Sequence, residues 1–196
     1  MIKSLLLYSL VMIFVVIAFP GCSIVPKSFK ETTLDDMYPI LTDEQYQEMK
    51  TLNSDEELTN FLDTYWHNLD STSCTSENEY KTEYVRRLKY ANEHFPDSRG
   101  WGRSDRKRIY LVYGPPDYIE RYASTENRIG AFSRMKSIEI WLYMSPGKNN
   151  SFPSQGNNFD KGEKKFLFAD VTGVGIYKIL YSSEDNGDID IRMFNP

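Results

Sequence analysis

His67 and His94 are the only imidazoles in 196 residues, and neither sits in a His-Glu-x-x-His pattern or has a second histidine at ligand spacing. A metal centre would have to be built from carboxylates. Glu77, Glu79, Glu83 and Glu93 are close enough to share one helix and offer acid–base groups. Lys81, Arg86, Arg87 and Lys89 are interleaved with them, which is the layout of a solvated, ion-paired face. Cys74 lies between Ser73 and Thr75, which supply no base to draw off its proton. No Gly-x-Ser-x-Gly elbow occurs, and Gly100-Trp101-Gly102 sets a bulky ring where a phosphate loop needs bare backbone. No residue is assigned as catalytic, cofactor-binding or metal-ligating, and the reading leans away from an enzyme.

One local charge excess stands out. Arg99, Arg103, Arg106, Lys107 and Arg108 crowd together in a chain whose formal net charge is −5. Such a cluster could meet lipid phosphates or an acidic partner; alternatively its members pair with nearby Asp and Glu. The acidic balance of the chain as a whole argues against nucleic acid, whose binding rests on phosphate neutralisation.

The N-terminus bears on location. Lys3 is followed by an almost unbroken apolar run over residues 5–19, which is the layout of a secretory signal peptide. The run is short for a membrane-spanning helix, which needs about 20 apolar residues, and Pro20-Gly21 ends it. Gly21-Cys22 after such a run resembles the lipobox of bacterial lipoproteins. By that resemblance residues 1–21 are removed, Cys22 becomes the first mature residue and carries acyl chains, and the protein is anchored to a membrane. The expected address is the periplasmic face of an outer membrane. Cys74 is then left without a partner in the chain.

These residues need a frame. Residues 22–41 contain two prolines after the cysteine and no sustained period, and read as a tether. Thr42 with Gln45, and Ser54 with Glu57, have the form of capping boxes opening helices. Leu58, Phe61, Leu62, Tyr65, Trp66 and Leu69 form an apolar stripe in the second of these; Tyr80, Tyr84, Leu88, Ala91 and Phe95 do so in a third helix that Pro96 ends. The period then changes to two. Ile109, Leu111 and Tyr113 alternate with Tyr110 and Val112, which predicts a strand, and Gly114-Pro115-Pro116-Asp117 turns the chain. Residues 138–144, 165–171 and 176–181 read as strands, with a hairpin turn over 172–175 and a possible edge strand over 189–194. Residues 145–164, rich in Asn, Gly, Ser and Pro, read as a mobile loop. Helices first and strands afterwards predict one α+β domain over 42–196, with helices packed on a mostly antiparallel sheet of about four or five strands.

The stretch from the second helix through the sheet resembles the GWxTD-domain family of bacterial exported proteins. The resemblance is carried by Tyr65-Trp66, by Arg86 or Arg87 with Tyr90-Ala91-Asn92 and Phe95, and by Gly100-Trp101 followed by Ser104-Asp105-Arg106. Arg108-Ile109-Tyr110, Tyr113-Gly114, Pro116-Asp117, Trp141, Tyr143 and residues 166–170 continue it. The signature here is one residue longer than the family's pattern and has Ser104 where the family has Thr. The resemblance implies an exported protein or lipoprotein of unassigned activity. Gly100, Trp101, Ser104, Asp105, Arg106, Arg108, Tyr113, Gly114, Pro116 and Asp117 are then either a rigid corner between helix and sheet or a recognition surface.

The resulting expectation is a membrane-anchored, non-catalytic interaction or accessory module of a cell-envelope complex, with an envelope protein as partner. The alternative is a glycan or peptidoglycan-fragment binder, with Trp141, Tyr143 and Tyr122 as stacking rings; a carboxylate-based hydrolase is a third reading.

Overall fold

Short polar side chains open the α-helices described in the computed structural model, which describes residues 27–70, 77–96, 103–123, 135–144, 162–170 and 172–184. Ser28, Thr42 and Ser54 each accept the backbone N–H three residues on, and Glu31, Gln45 and Glu57 return the bond. These boxes start α1 (Phe29–Met37), α2 (Asp43–Thr51) and α3 (Asp55–Leu69). Asn78 caps α4 (Glu79–His94) and Ser104 caps α5 (Asp105–Tyr113). Four strands follow: β1 (Tyr118–Ala123), β2 (Ser137–Tyr143), β3 (Lys164–Asp170) and β4 (Tyr177–Ser182). The α+β architecture read from the sequence is what the chain adopts.

Two expectations are corrected. The segment read as a tether is structured from Phe29 onward: α1 runs into a 3-10 turn, Tyr38–Ile40, and Met37, Ile40 and Leu41 are buried in the core. α1 has a weak apolar stripe, so periodicity missed it; the Ser28-x-x-Glu31 box was the available signal. The strand expected over residues 109–113 is the helix α5. All five of these residues are buried, so this part of the helix has no polar face to betray its period and its apolar run mimics a strand. Gly114, at φ 80° and ψ −159°, ends it in a region that only glycine occupies comfortably.

The sheet order is β1-β2-β3-β4, antiparallel throughout, with an irregularity between Leu167 and Phe168. Asp170 fixes the last hairpin. Its Oδ1 accepts from the N–H groups of Thr172 (3.0 Å) and Gly173 (2.8 Å), and its Oδ2 from that of Gly175 (2.7 Å). β1 was not anticipated; five of its six residues are exposed, so it lacks the alternation that marks a half-buried strand.

Register assigns the two faces. Trp141 pairs with Phe166, and Glu139 with Phe168, so Trp141, Tyr143, Phe166 and Phe168 share the face that packs on the helices. Phe95 of α4's end meets the Trp141 ring at 5.2 Å, and Trp141 meets Phe168 at 4.9 Å. The opposite face carries a second apolar cluster of Met135, Ile138, Ala169 and Leu180, with Ile140 and Leu167 half-buried beside it. Among the described residues no helix is long and apolar enough to cross a membrane. Cys22, Cys74, Arg99, Gly100 and Trp101 lie outside the described residues, as do residues 189–194 and all but the end of the loop expected over 145–164.

Candidate interaction surface

The signature residues that are described converge on α5, and most of them are spent on internal bonds. Ser104 Oγ accepts from Lys107 N–H (3.3 Å), closing the first turn. Asp105 Oδ2 accepts from Ile179 N–H at 2.9 Å, so the helix start is clamped to β4. Arg106 lies over the Tyr177 ring (3.8 Å) and the Phe95 ring (5.1 Å), with Nη1 3.3 Å from Glu139 Oε2. Its Nε is buried without an acceptor among the described residues. Glu139 is itself buried and also accepts from Arg121 Nε (3.0 Å) and Trp141 Nε1 (3.1 Å), so its charge is fully answered.

Beyond α5 the pattern continues. Tyr113 is buried and donates through its hydroxyl to Glu184, and Gly114 is buried with its carbonyl accepting from Tyr143 Oη at 3.0 Å. Asp117 Oδ2 accepts from Met144 N–H at 2.7 Å, and Pro116 is half-buried. Tyr113 and Gly114 therefore do not belong to any surface, because no partner can reach them. The geometry of Ser104, Asp105 and Arg106 is that of a corner joining helix to sheet.

The sequence reading missed the residue that organises this corner. Arg87, buried with no exposed surface, sends Nη1 to the carbonyls of Leu111 (3.1 Å) and Val112 (3.0 Å), while its Nε reaches Glu83 at 2.7 Å. A cation there answers the negative end of α5. Gly114 lies against the guanidinium, at which a Cβ would stand 3.0 Å from Cζ. Hydrogen bonding to Arg86, then to Arg87, holds the Glu83 carboxyl below its ordinary value despite burial. Burial pushes the Arg87 guanidinium down, with Glu83 opposing it. In sequence Arg87 sits beside Arg86 among alternating charges, but it falls three residues after Tyr84 and four before Ala91, on the apolar stripe, and Arg86 does not; that spacing was the available signal.

The basic cluster is largely neutralised. Arg103 binds Asp35 (2.7 Å) and the Tyr46 hydroxyl (3.1 Å) and lies over the Tyr38 ring (4.3 Å); Lys107 binds Asp36 (3.3 Å). Burial raises the Asp35 carboxyl, but Lys27 and Arg103 outweigh it and hold it below its usual value. Arg108 borders a half-open cavity of about 280 Å³, together with Asp35, Tyr38, Arg103 and Asp105. Lys107 lines it too, so three cations stand against Asp35 and Asp105 there, and Arg103 and Lys107 are already paired with Asp35 and Asp36. No group of three or more His, Cys, Asp or Glu placed to hold a metal exists among the described residues.

Of the proposed stacking rings, Trp141 and Tyr143 are fully buried under the helices and cannot meet a sugar. Tyr122 is 43% exposed, and it lies on the outer face of the sheet with Tyr118, 64% exposed. Register sets Tyr118 beside half-buried Leu142 and sets Ile140 between Glu120 and Leu167. Met144, two residues beyond Leu142, is 50% exposed. β1 is an end strand, and no described strand pairs with its outer edge. Tyr118, Tyr122 and Met144 thus group on β1 and the end of β2, a face the sequence motifs did not mark, while Phe29, Val85, Tyr90 and Val174 are exposed elsewhere.

Searches of curated proteins and of solved structures find no match. The profile of the GWxTD domain matches residues 23–166, which includes α1 to α5 and the sheet through the start of β3. The chain belongs to the GWxTD-domain family.

Proposed function

We propose that this protein is an exported lipoprotein, anchored through Cys22 to the periplasmic face of an outer membrane, and that it acts there as a non-catalytic docking module for a protein of a cell-envelope complex. The anchor rests on the apolar leader and the Gly21-Cys22 junction. The observation that carries the docking role is the outer sheet face, where Tyr118, Tyr122 and Met144 are exposed beside half-buried Ile140 and Leu142. Tyr and Met are the side chains that interfaces favour, and the outer edge of β1, which no described strand covers, can accept an extended segment of a partner. Among the described residues, the carboxylates of Glu139, Glu83 and Asp170 are engaged in holding the fold.

The test uses a photo-crosslinking side chain at position 118 of the full-length protein in native membranes. A specific protein adduct, lost on Tyr122→Glu without loss of folding, supports docking through this face. Absence of any protein adduct at 118 excludes it.

A further inference from the structure

The cavity between α1, its 3-10 turn and the start of α5 is lined by a cation that the fold does not use. Arg108 stands there half-buried, and among the described residues its guanidinium has no acceptor and no counter-ion. The acids around it are spent elsewhere. Asp105, three residues before Arg108 on α5, is placed to pair with it, but its Oδ2 is turned to β4, where it accepts from Ile179 N–H at 2.9 Å. Asp35, on the α1 side, takes Arg103 through Oδ1 and Lys27 through Oδ2, and Asp36 takes Lys107. An arginine stays charged in a protein, so a guanidinium rich in donors is left at the cavity wall.

Arg103 supplies a second donor. Its Nε and Nη2 both go to Asp35 Oδ1, at 3.0 and 2.7 Å, and Nη1 has no acceptor among the described residues. Lys27, Arg103, Lys107 and Arg108 stand against Asp35, Asp36 and Asp105, which leaves a surplus of one positive charge. Lys178, whose Nζ is 3.5 Å from the Arg103 carbonyl, adds to it. The rest of the wall is apolar, with Tyr38 half-buried and Pro39 buried.

These features select the occupant by its chemistry. The cationic surplus repels a metal ion. A carboxylate matches the guanidinium fork in shape and carries the single charge that the surplus answers, whereas a phosphate dianion overshoots it and meets Asp35 and Asp105. A bare anion leaves the Tyr38–Pro39 wall unused. The volume of about 280 Å³ is at the low end for ligand sites, so it takes one side chain with its peptide unit, and the half-open mouth lets the chain leave at both ends. We propose that this cavity receives a carboxylate side chain of an acidic peptide segment, with Arg108 as its counter-ion, Arg103 Nη1 as a second donor, and Tyr38 and Pro39 against its methylene groups. The site lies in the helical layer, apart from the β1 face, and rests neither on that face nor on the lipid anchor.

The experiment uses full-length protein in detergent with isotope-labelled arginine, whose side-chain Nε–H signals are followed by NMR and assigned with single variants. The probes are an acetylated, amidated Ala-Glu-Ala peptide, its Ala-Gln-Ala counterpart and inorganic phosphate. The Glu peptide is expected to shift the Arg108 signal saturably and to bind at least about tenfold more tightly than the Gln peptide, as a hydrogen bond between charged groups supplies. Arg108→Gln should abolish that preference while keeping or raising the thermal midpoint, because the charge it removes has no partner in the fold. Lys89→Gln, which takes the same charge from an exposed position on α4, should leave the preference intact. Equal binding of the two peptides, or no binding of either, overturns the proposal. Tighter binding of phosphate than of the Glu peptide also overturns it, and so does a fall in thermal midpoint in Arg108→Gln, which would assign that side chain to the fold. None of these results bears on docking through the β1 face.

Discussion

Charge burial at single positions decides how rigid the α5 corner is. Arg87 is the sole support of two carbonyls at the end of α5 among the bonds described, and it answers Glu83 as well. Arg87→Ala should cost about 3–5 kcal/mol, because it strands the other members of a buried network; urea unfolding measures it. Gly114→Ala forces a side chain into a glycine-only backbone region and against the guanidinium, and should cost about 1–3 kcal/mol. Asp170 supplies a pH signature. Burial alone would raise its carboxyl, but the N–H groups of Gly175, Gly173 and Thr172 prevail and hold it below 3.8. A carboxyl depressed in the folded state adds stability that is full above its unfolded value and disappears as pH falls through the folded value. Asp170→Asn should therefore be about 1–3 kcal/mol less stable than the parent at pH 7, with the gap closing below about pH 4; thermal unfolding at the two pH values reads both.

At the scale of elements, α1 is held mainly by polar contacts, and the Arg103–Asp35 and Lys107–Asp36 pairs are its links to α5. Replacing Arg103 and Lys107 together by Ala should speed amide exchange in α1 while leaving α4 protected, as hydrogen-exchange mass spectrometry would show. Any loss of membrane or partner association in that variant has to be read with this loosening in mind. The same elements show where sequence was legible. α2 and α3 carry capping boxes and α4 an apolar stripe, and they appeared where those signals placed them. α5 was misread because the burial of its last five residues on all sides erased the period there, and β1 was missed because exposure on both faces did the same from the other direction. The candidate site suffered from a related ambiguity. Alternation along β2 shows that Trp141 and Leu142 face opposite ways, but not which face the helices cover, so buried Trp141 and Tyr143 looked available while Tyr118 went unmarked.

Among the described residues a helical layer covers one face of a four-stranded sheet, and the other face carries exposed Tyr118 and Tyr122 beside a buried cluster of Met135, Ile138, Ala169 and Leu180. Cys22→Ala should release the protein from the membrane fraction without altering its fold, because α1 begins beyond the anchor and makes its own contacts; fractionation with circular dichroism checks both parts. The most direct test of the docking role is photo-crosslinking from position 118 in native membranes, set beside the Tyr122→Glu variant. The account predicts one protein adduct near stoichiometric yield with the parent and its loss in the folded variant. An adduct that survives Tyr122→Glu unchanged, or no protein adduct from position 118 at all, would contradict it.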